Sequence, residues 1–202
     1  PLCGESFIRF YNLALADERI AWGILEGGNS QFNSLVVETV GDHATRAEVA
    51  GGSQTTGDPR GDERAGDLLG AGSLLVFSTW AYCDAVVPVA CPGLPFGRAT
   101  AVASQTLWRV REPTWPGECP GPRFWFGQPG RCQQLRLEPG PLRPLDVGGG
   151  RIVASGDNAT LVLDANGQPL LSLPLSTQAA SLSGSDLVVV VPGELRDYDA
   201  TT

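Results

Sequence analysis

Asp186-Leu187-Val188-Val189-Val190-Val191-Pro192-Gly193-Glu194-Leu195-Arg196-Asp197-Tyr198-Asp199-Ala200 restates an earlier stretch, Arg151-Ile152-Val153-Ala154-Ser155-Gly156-Asp157-Asn158-Ala159-Thr160-Leu161-Val162-Leu163-Asp164-Ala165. The shift is 35 residues and needs no gap: Val153 meets Val188, Asp164 meets Asp199 and Ala165 meets Ala200. Each copy is an apolar strand, a turn dipeptide and a second strand ending in Asp-Ala. A period of about 20–50 residues is the signature of stacked or radial sheets rather than of one irregular core.

Working backwards from this unit, Arg19-Ile20-Ala21-Trp22-Gly23 echoes Arg151–Gly156, with Ser34–Gly41 as its second strand. Gly72–Trp80 opens another unit, paired with Gln105–Arg111. Four strand openings result, near Ile20, Leu75, Ile152 and Leu187, and only the last two keep the 35-residue spacing. Three insertions separate the rest: residues 51–70, rich in Gly, Asp and Arg and expected to be mobile, residues 83–98 and residues 112–132. Long loops on a sheet scaffold are a usual way to present a variable surface.

Asp164-Ala165-Asn166-Gly167-Gln168 and Asp199-Ala200-Thr201-Thr202 resemble the Asp-Ala-x-(Thr/Asn)-Gly turns of PQQ-like and WD40-like β-propellers. The resemblance covers residues 145–202 and, more loosely, 17–50. It implies an all-β, propeller-like array of short antiparallel sheets, about four blade units in one domain spanning residues 1–202. Gln168–Leu173 would be the last strand of a blade, and the next blade would begin after Ala179–Gly184. Ser6–Tyr11 followed by Leu13–Asp17 would supply the strand owed after Thr202 and close the ring; the rival is an arc of a larger propeller. The tryptophans that close PQQ-like repeats are missing after Gly167, so no cofactor is expected. A β-sandwich would use the same short strands but leaves the shift of 35 unexplained.

Composition agrees with this fold class. Gly 26 and Pro 16 in 202 residues favour many turns over long helices. The net charge is −8 and all 14 basic residues are Arg, without a basic cluster, so nucleic acid is a poor partner. An apolar run of about 18 residues, as a membrane-spanning helix needs, is missing. Arg in place of Lys, with much Ala, Gly and Pro, has the look of a GC-rich bacterial gene.

The five cysteines are Cys3, Cys83, Cys91, Cys119 and Cys132. The local pairs Cys83–Cys91 and Cys119–Cys132 would each staple a loop and imply an oxidising compartment. Free buried thiols are the other reading. The expected location is secreted, periplasmic or cell-surface.

Chemistry-bearing clusters are few. His43 is the single histidine and sits in a turn, Gly41-Asp42-His43-Ala44, with nothing nearby in sequence to make a triad. Asp58, Asp62, Glu63 and Asp67 offer oxygen ligands without EF-hand spacing. The richest recognition segment is 112–132, where Trp115, Phe124, Trp125 and Phe126 accompany Arg123 and Arg131. Trp and Arg dominate binding hot spots, so Trp115, Arg123, Trp125 and Arg131 are the binding candidates. The same aromatics also suit a small loop core. These readings favour a non-catalytic extracellular binding or scaffold module for a protein or glycan. A carbohydrate-active hydrolase or lyase and a structural assembly subunit are the alternatives.

Overall fold

The repeat is visible in the hydrogen-bond ladders of the computed structural model, which describes residues 7–27, 31–54, 62–83, 101–110, 132–139 and 142–200. The described residues form four antiparallel sheets without a helix. The first holds β1 (Phe7–Ala16), β2 (Arg19–Gly27), β3 (Gln31–Thr39) and β4 (Asp42–Gln54). The second holds β5 (Asp62–Ala71), β6 (Leu74–Cys83), β7 (Ala101–Val110) and β8 (Cys132–Pro139). The third holds β9 (Leu142–Gly148), β10 (Arg151–Gly156), β11 (Thr160–Asp164) and β12 (Pro169–Leu173). The fourth holds β13 (Ala179–Ser183), β14 (Asp186–Val191) and β15 (Glu194–Asp199). Within each sheet the strands pair in chain order.

The shift of 35 is a shift of register. Arg151 pairs with Asp164 and Gly148; Asp186 pairs with Asp199 and Ser183. The repeated unit therefore has three strands, β9–β11 and β13–β15. The first two sheets share a different offset, in which the pair Ala16–Arg19 becomes Ala71–Leu74. Their bulges correspond as well. Asn12 and Asp67 are each skipped by the ladder and hold positive φ, 49° and 28°. Asn and Asp tolerate that conformation better than other side-chain-bearing residues.

Three cores lie between the four sheets. Ala14, Ala16 and Ala21 of the first sheet meet Leu75 and Phe77 of the second. Leu74 and Val76 on the other face of β6 meet Ile152, Ala154 and Leu163 of the third. Val153 and Val162 meet Leu187, Val189 and Val191 of the fourth. β6 and β10 are apolar at successive positions because both their faces are covered; a strand facing water on one side would alternate. The first strands pack in succession, β1 on β5, β5 on β9 and β9 on β13, and among the described residues no comparable packing joins β13 to β1. The result is a propeller-like array of four sheets.

Backbones come close where the first strands meet. A Cβ on Gly70 would collide with the Leu15 carbonyl oxygen, and one on Gly148 would lie 2.9 Å from that of Leu182. Asp146 of β9 adds a hydrogen bond across the same gap, its Oδ2 accepting from the Leu182 amide at 2.6 Å.

Three expectations are corrected. The N-terminal strand does not complete the last sheet: β1 pairs with β2 through a two-residue turn, Asp17-Glu18. A pairing across so short a loop costs little closure entropy. Ala179–Ser183 does not precede the fourth sheet but is its first strand. The stretch 51–70 is strand at both ends, β4 to Gln54 and β5 from Asp62. Its Gly and Asp fit a bulged, close-packed strand as well as they fit a loop. Of the other insertions, 84–100 and 111–131 lie outside the described residues.

Candidate docking face

β1 is built inside out. Ala14 and Ala16 are buried at 6% and 0% exposure, while Ile8, Phe10, Leu13 and Leu15 are 57–71% exposed. The bulge at Asn12 is the local cause. It changes the alternation, so that 8 and 10 before it and 13 and 15 after it share one face. Two half-buried cross-strand partners extend the surface, Ile20 opposite Leu15 and Trp22 opposite Leu13, while Ile24 opposite Phe10 is buried. A contiguous exposed apolar patch is informative in a way that scattered exposed leucines are not.

The patch contains a cleft of about 580 Å³, walled by Phe10, Leu13, Ile20, Trp22, Glu38 and Arg46. Arg46 lies over the Trp22 ring, its Cζ 5.4 Å from the ring centroid, within the range of a cation–π contact. The β3–β4 turn sets the position of Arg46. There Asp42 Oδ1 accepts from the Ala44 amide at 3.1 Å, and Thr45 Oγ1 accepts from the Thr39 amide at 2.7 Å while donating to the Asp42 carbonyl. Glu38 Oε1 lies 3.2 Å from His43 Nδ1 at the rim. An apolar floor with one cation and one carboxylate suits recognition of an apolar surface oriented by charge.

The sheets themselves are joined by arginines. Arg19 Nη2 donates to the Ser73 carbonyl at 2.7 Å, linking the first sheet to the second. Arg109 Nη1 donates to the Ala165 carbonyl at 3.2 Å, linking the second to the third. Arg151 Nη1 donates to the Ala200 carbonyl at 3.0 Å and Nη2 to the Gly184 carbonyl, linking the third to the fourth. The repeated Asp-Ala turns are thus receptors for a guanidinium from the preceding sheet. Asp164 shapes its own turn, with Oδ1 accepting from the amides of Asn166 and Gln168, both at 2.8 Å.

Of the binding candidates, Trp115, Arg123, Trp125 and Arg131 lie outside the described residues, as do Cys91 and Cys119. Cys83 ends β6 beside Ala101, and Cys132 opens β8 beside Val110. They therefore stand at opposite ends of β7, roughly 30 Å apart at about 3.3 Å per residue, and cannot bridge each other. His43 is exposed, but it is the second residue of β4 rather than part of the expected turn, and Glu38 is its neighbour. Among the described residues no three His, Cys, Asp or Glu side chains gather for a metal. Phe10, Leu13 and Trp22 are not among the binding residues expected from the sequence. The available signal was large residues alternating with Ala14 and Ala16.

No protein-family model matches the chain, and none of the curated proteins compared matches it. Among solved structures the chain is similar to Pyrococcus horikoshii acylaminoacyl peptidase (orthorhombic crystal form), at 11% identity and a TM-score of 0.27. The alignment takes in 96% of this chain but only 46% of that one. A superposition this loose carries no argument about activity, and the chain spans less than half of that protein's length.

Proposed function

We propose that the chain is a non-catalytic binding or scaffold module, part of a β-propeller-type arc, and that its working surface is the outer face of the first sheet. The observation that carries this is the inverted β1, with alanines buried and Phe10 and Leu13 more than two-thirds exposed. Keeping large apolar side chains in water gains nothing for the fold, since burying each stabilises by about 1.5–3 kcal/mol. Their use lies in a contact still to be made. The rim charges Arg46 and Glu38 would orient a protein partner. An extracellular, bacterial setting fits the expected Cys83–Cys91 and Cys119–Cys132 staples, and the aromatic 112–132 segment remains a second candidate surface for a protein or glycan.

The test is selection from a displayed random-peptide library. Binders of the intact chain should be rich in apolar residues, and Phe10→Ser with Leu13→Ser should weaken them by more than about 2 kcal/mol. The melting temperature should not fall, because both residues are exposed. Binders indifferent to these substitutions would sink the proposed surface. Turnover of a chromogenic glycoside by the purified chain would move the reading to the hydrolase.

A further inference from the structure

Ile20 and Trp22 have counterparts in every other sheet. By strand register they stand where Leu75 and Phe77 stand in the second, Ile152 and Ala154 in the third, and Leu187 and Val189 in the fourth. Those six side chains are 0% exposed. Each pair is covered by the sheet that precedes it in the chain. Ile20 and Trp22 are only half-buried, so the docking face matches an internal interface of this architecture for which no covering sheet lies among the described residues.

Two of the three internal interfaces show a charge that a covering sheet can carry; the second sheet has Leu74 at this position and bridges through Arg109 instead. Arg19 and Arg151 each occupy the first position of a second strand, and each reaches forward to the first turn of the next sheet, at Ser73 and Gly184. The corresponding turn in the first sheet is Asp17-Glu18, two exposed acidic residues. A guanidinium arriving there would meet carboxylates as well as carbonyls, a stronger site than either internal one.

The fourth sheet of another copy is the wrong cover. Its residue at the arginine position is Asp186, and Asp197 and Asp199 stand on the same outer face, opposite Val188 and Asp186. Head-to-tail association would press Asp186 toward Asp17 and Glu18, and like charges across an interface disfavour that pairing.

We infer that the outer face of the first sheet receives a further antiparallel sheet of the same build, whose second strand opens on arginine. The inference rests on the docking reading above and names its partner's chemistry. That partner brings an apolar face to Phe10, Leu13, Ile20 and Trp22, and a guanidinium to the Asp17-Glu18 turn.

The chain can serve as its own probe. Asp186→Arg creates the required sheet, with arginine in the position of Arg19 and Arg151. In sedimentation velocity the wild-type chain should run as a monomer. The Asp186→Arg chain should self-associate at least about tenfold more tightly, and less so at high salt. Adding Phe10→Ser should abolish the gain while leaving the thermal melt unchanged. The inference is overturned if Asp186→Arg associates no better than wild type, or if its association survives Phe10→Ser. A wild-type dimer that Phe10→Ser dissolves would assign the face to a second copy and overturn it equally. Apolar peptides retained by the wild type, together with an inert Asp186→Arg, would leave the docking reading standing and remove only this partner.

Discussion

Arg151 shows how much a single side chain carries here. It opens β10, lies half-buried between two sheets and satisfies carbonyls of two separate turns in the fourth sheet. Replacing it with Met keeps the aliphatic stem but leaves the Ala200 and Gly184 carbonyls without their donor. A loss of about 1–3 kcal/mol is expected, read as a lower denaturation midpoint in urea. The glycines at the strand crossings behave differently. Gly70→Ala introduces only one methyl group, yet that methyl meets the backbone of Leu15, which cannot rotate away. Overpacking of this kind costs about 1–3 kcal/mol. Gly148→Ala should cost less, since its contact with the Leu182 oxygen is 2.9 Å. Equal stability of both variants with wild type would mean that β1, β5, β9 and β13 do not approach as described. Some of this is legible in sequence: the shared Arg-Ile at 19–20 and 151–152 hints at equivalent positions. What the arginines do is not legible, because their acceptors are main-chain carbonyls 33 to 54 residues away, which leave no side-chain signature.

At the scale of elements, position within a sheet decides local stability. β10 lies between β9 and β11, and Ile152, Val153 and Ala154 are 0% exposed because cores press on both its faces. β12 is an edge strand on which Pro169 and Leu170 are exposed. Native-state hydrogen exchange should therefore show β10 amides exchanging only through global opening, while β12 amides exchange by local fraying. Similar protection of the two strands would contradict the covered position of β10. The second strands were readable from sequence as unbroken apolar runs: Leu74–Phe77 and Ile152–Ala154 are covered on both faces, whereas Leu187–Val191 is covered on one and leaves Val188 exposed. The first strands were less so: the sequence predicts a strand over Ser6–Tyr11 and Leu13–Asp17 but assigns it to the last sheet, and β5 falls within an expected insertion. β5 carries Gly66, Asp67 and Gly70, a composition that reads as loop, because bulges and close backbone approach select small and polar residues.

Across the whole molecule, the ladder β6-β7-β8 limits the disulfide chemistry. Cys83 and Cys132 sit at opposite ends of β7. Peptide mapping without reductant should never yield a Cys83–Cys132 link, whereas Cys83–Cys91 and Cys119–Cys132 remain the expected bridges. Finding the long link would require β7 to pair with its neighbours in another register. The two end faces of the array also differ. The first is aromatic and aliphatic, with Phe10, Leu13 and Trp22. The fourth sets exposed Val188 and Leu195 among Asp186, Asp197 and Asp199. These surfaces give the array a direction, so that its two ends accept different neighbours.

The all-β class, the four repeated units and the equivalence of 151–165 with 186–200 follow from the order of residues alone. Strand period, turn dipeptides and a fixed spacing are local properties, written within a few tens of residues. The stacking of the sheets, the arginine bridges and the exposed face of β1 were decided only in three dimensions. Phe10 and Phe77 are both phenylalanines in strands. One is 71% exposed and the other 0%, because a preceding sheet covers β6 and none among the described residues covers β1. Burial depends on what lies opposite, and the identity of that neighbour is set by long-range packing, which no short window of sequence contains.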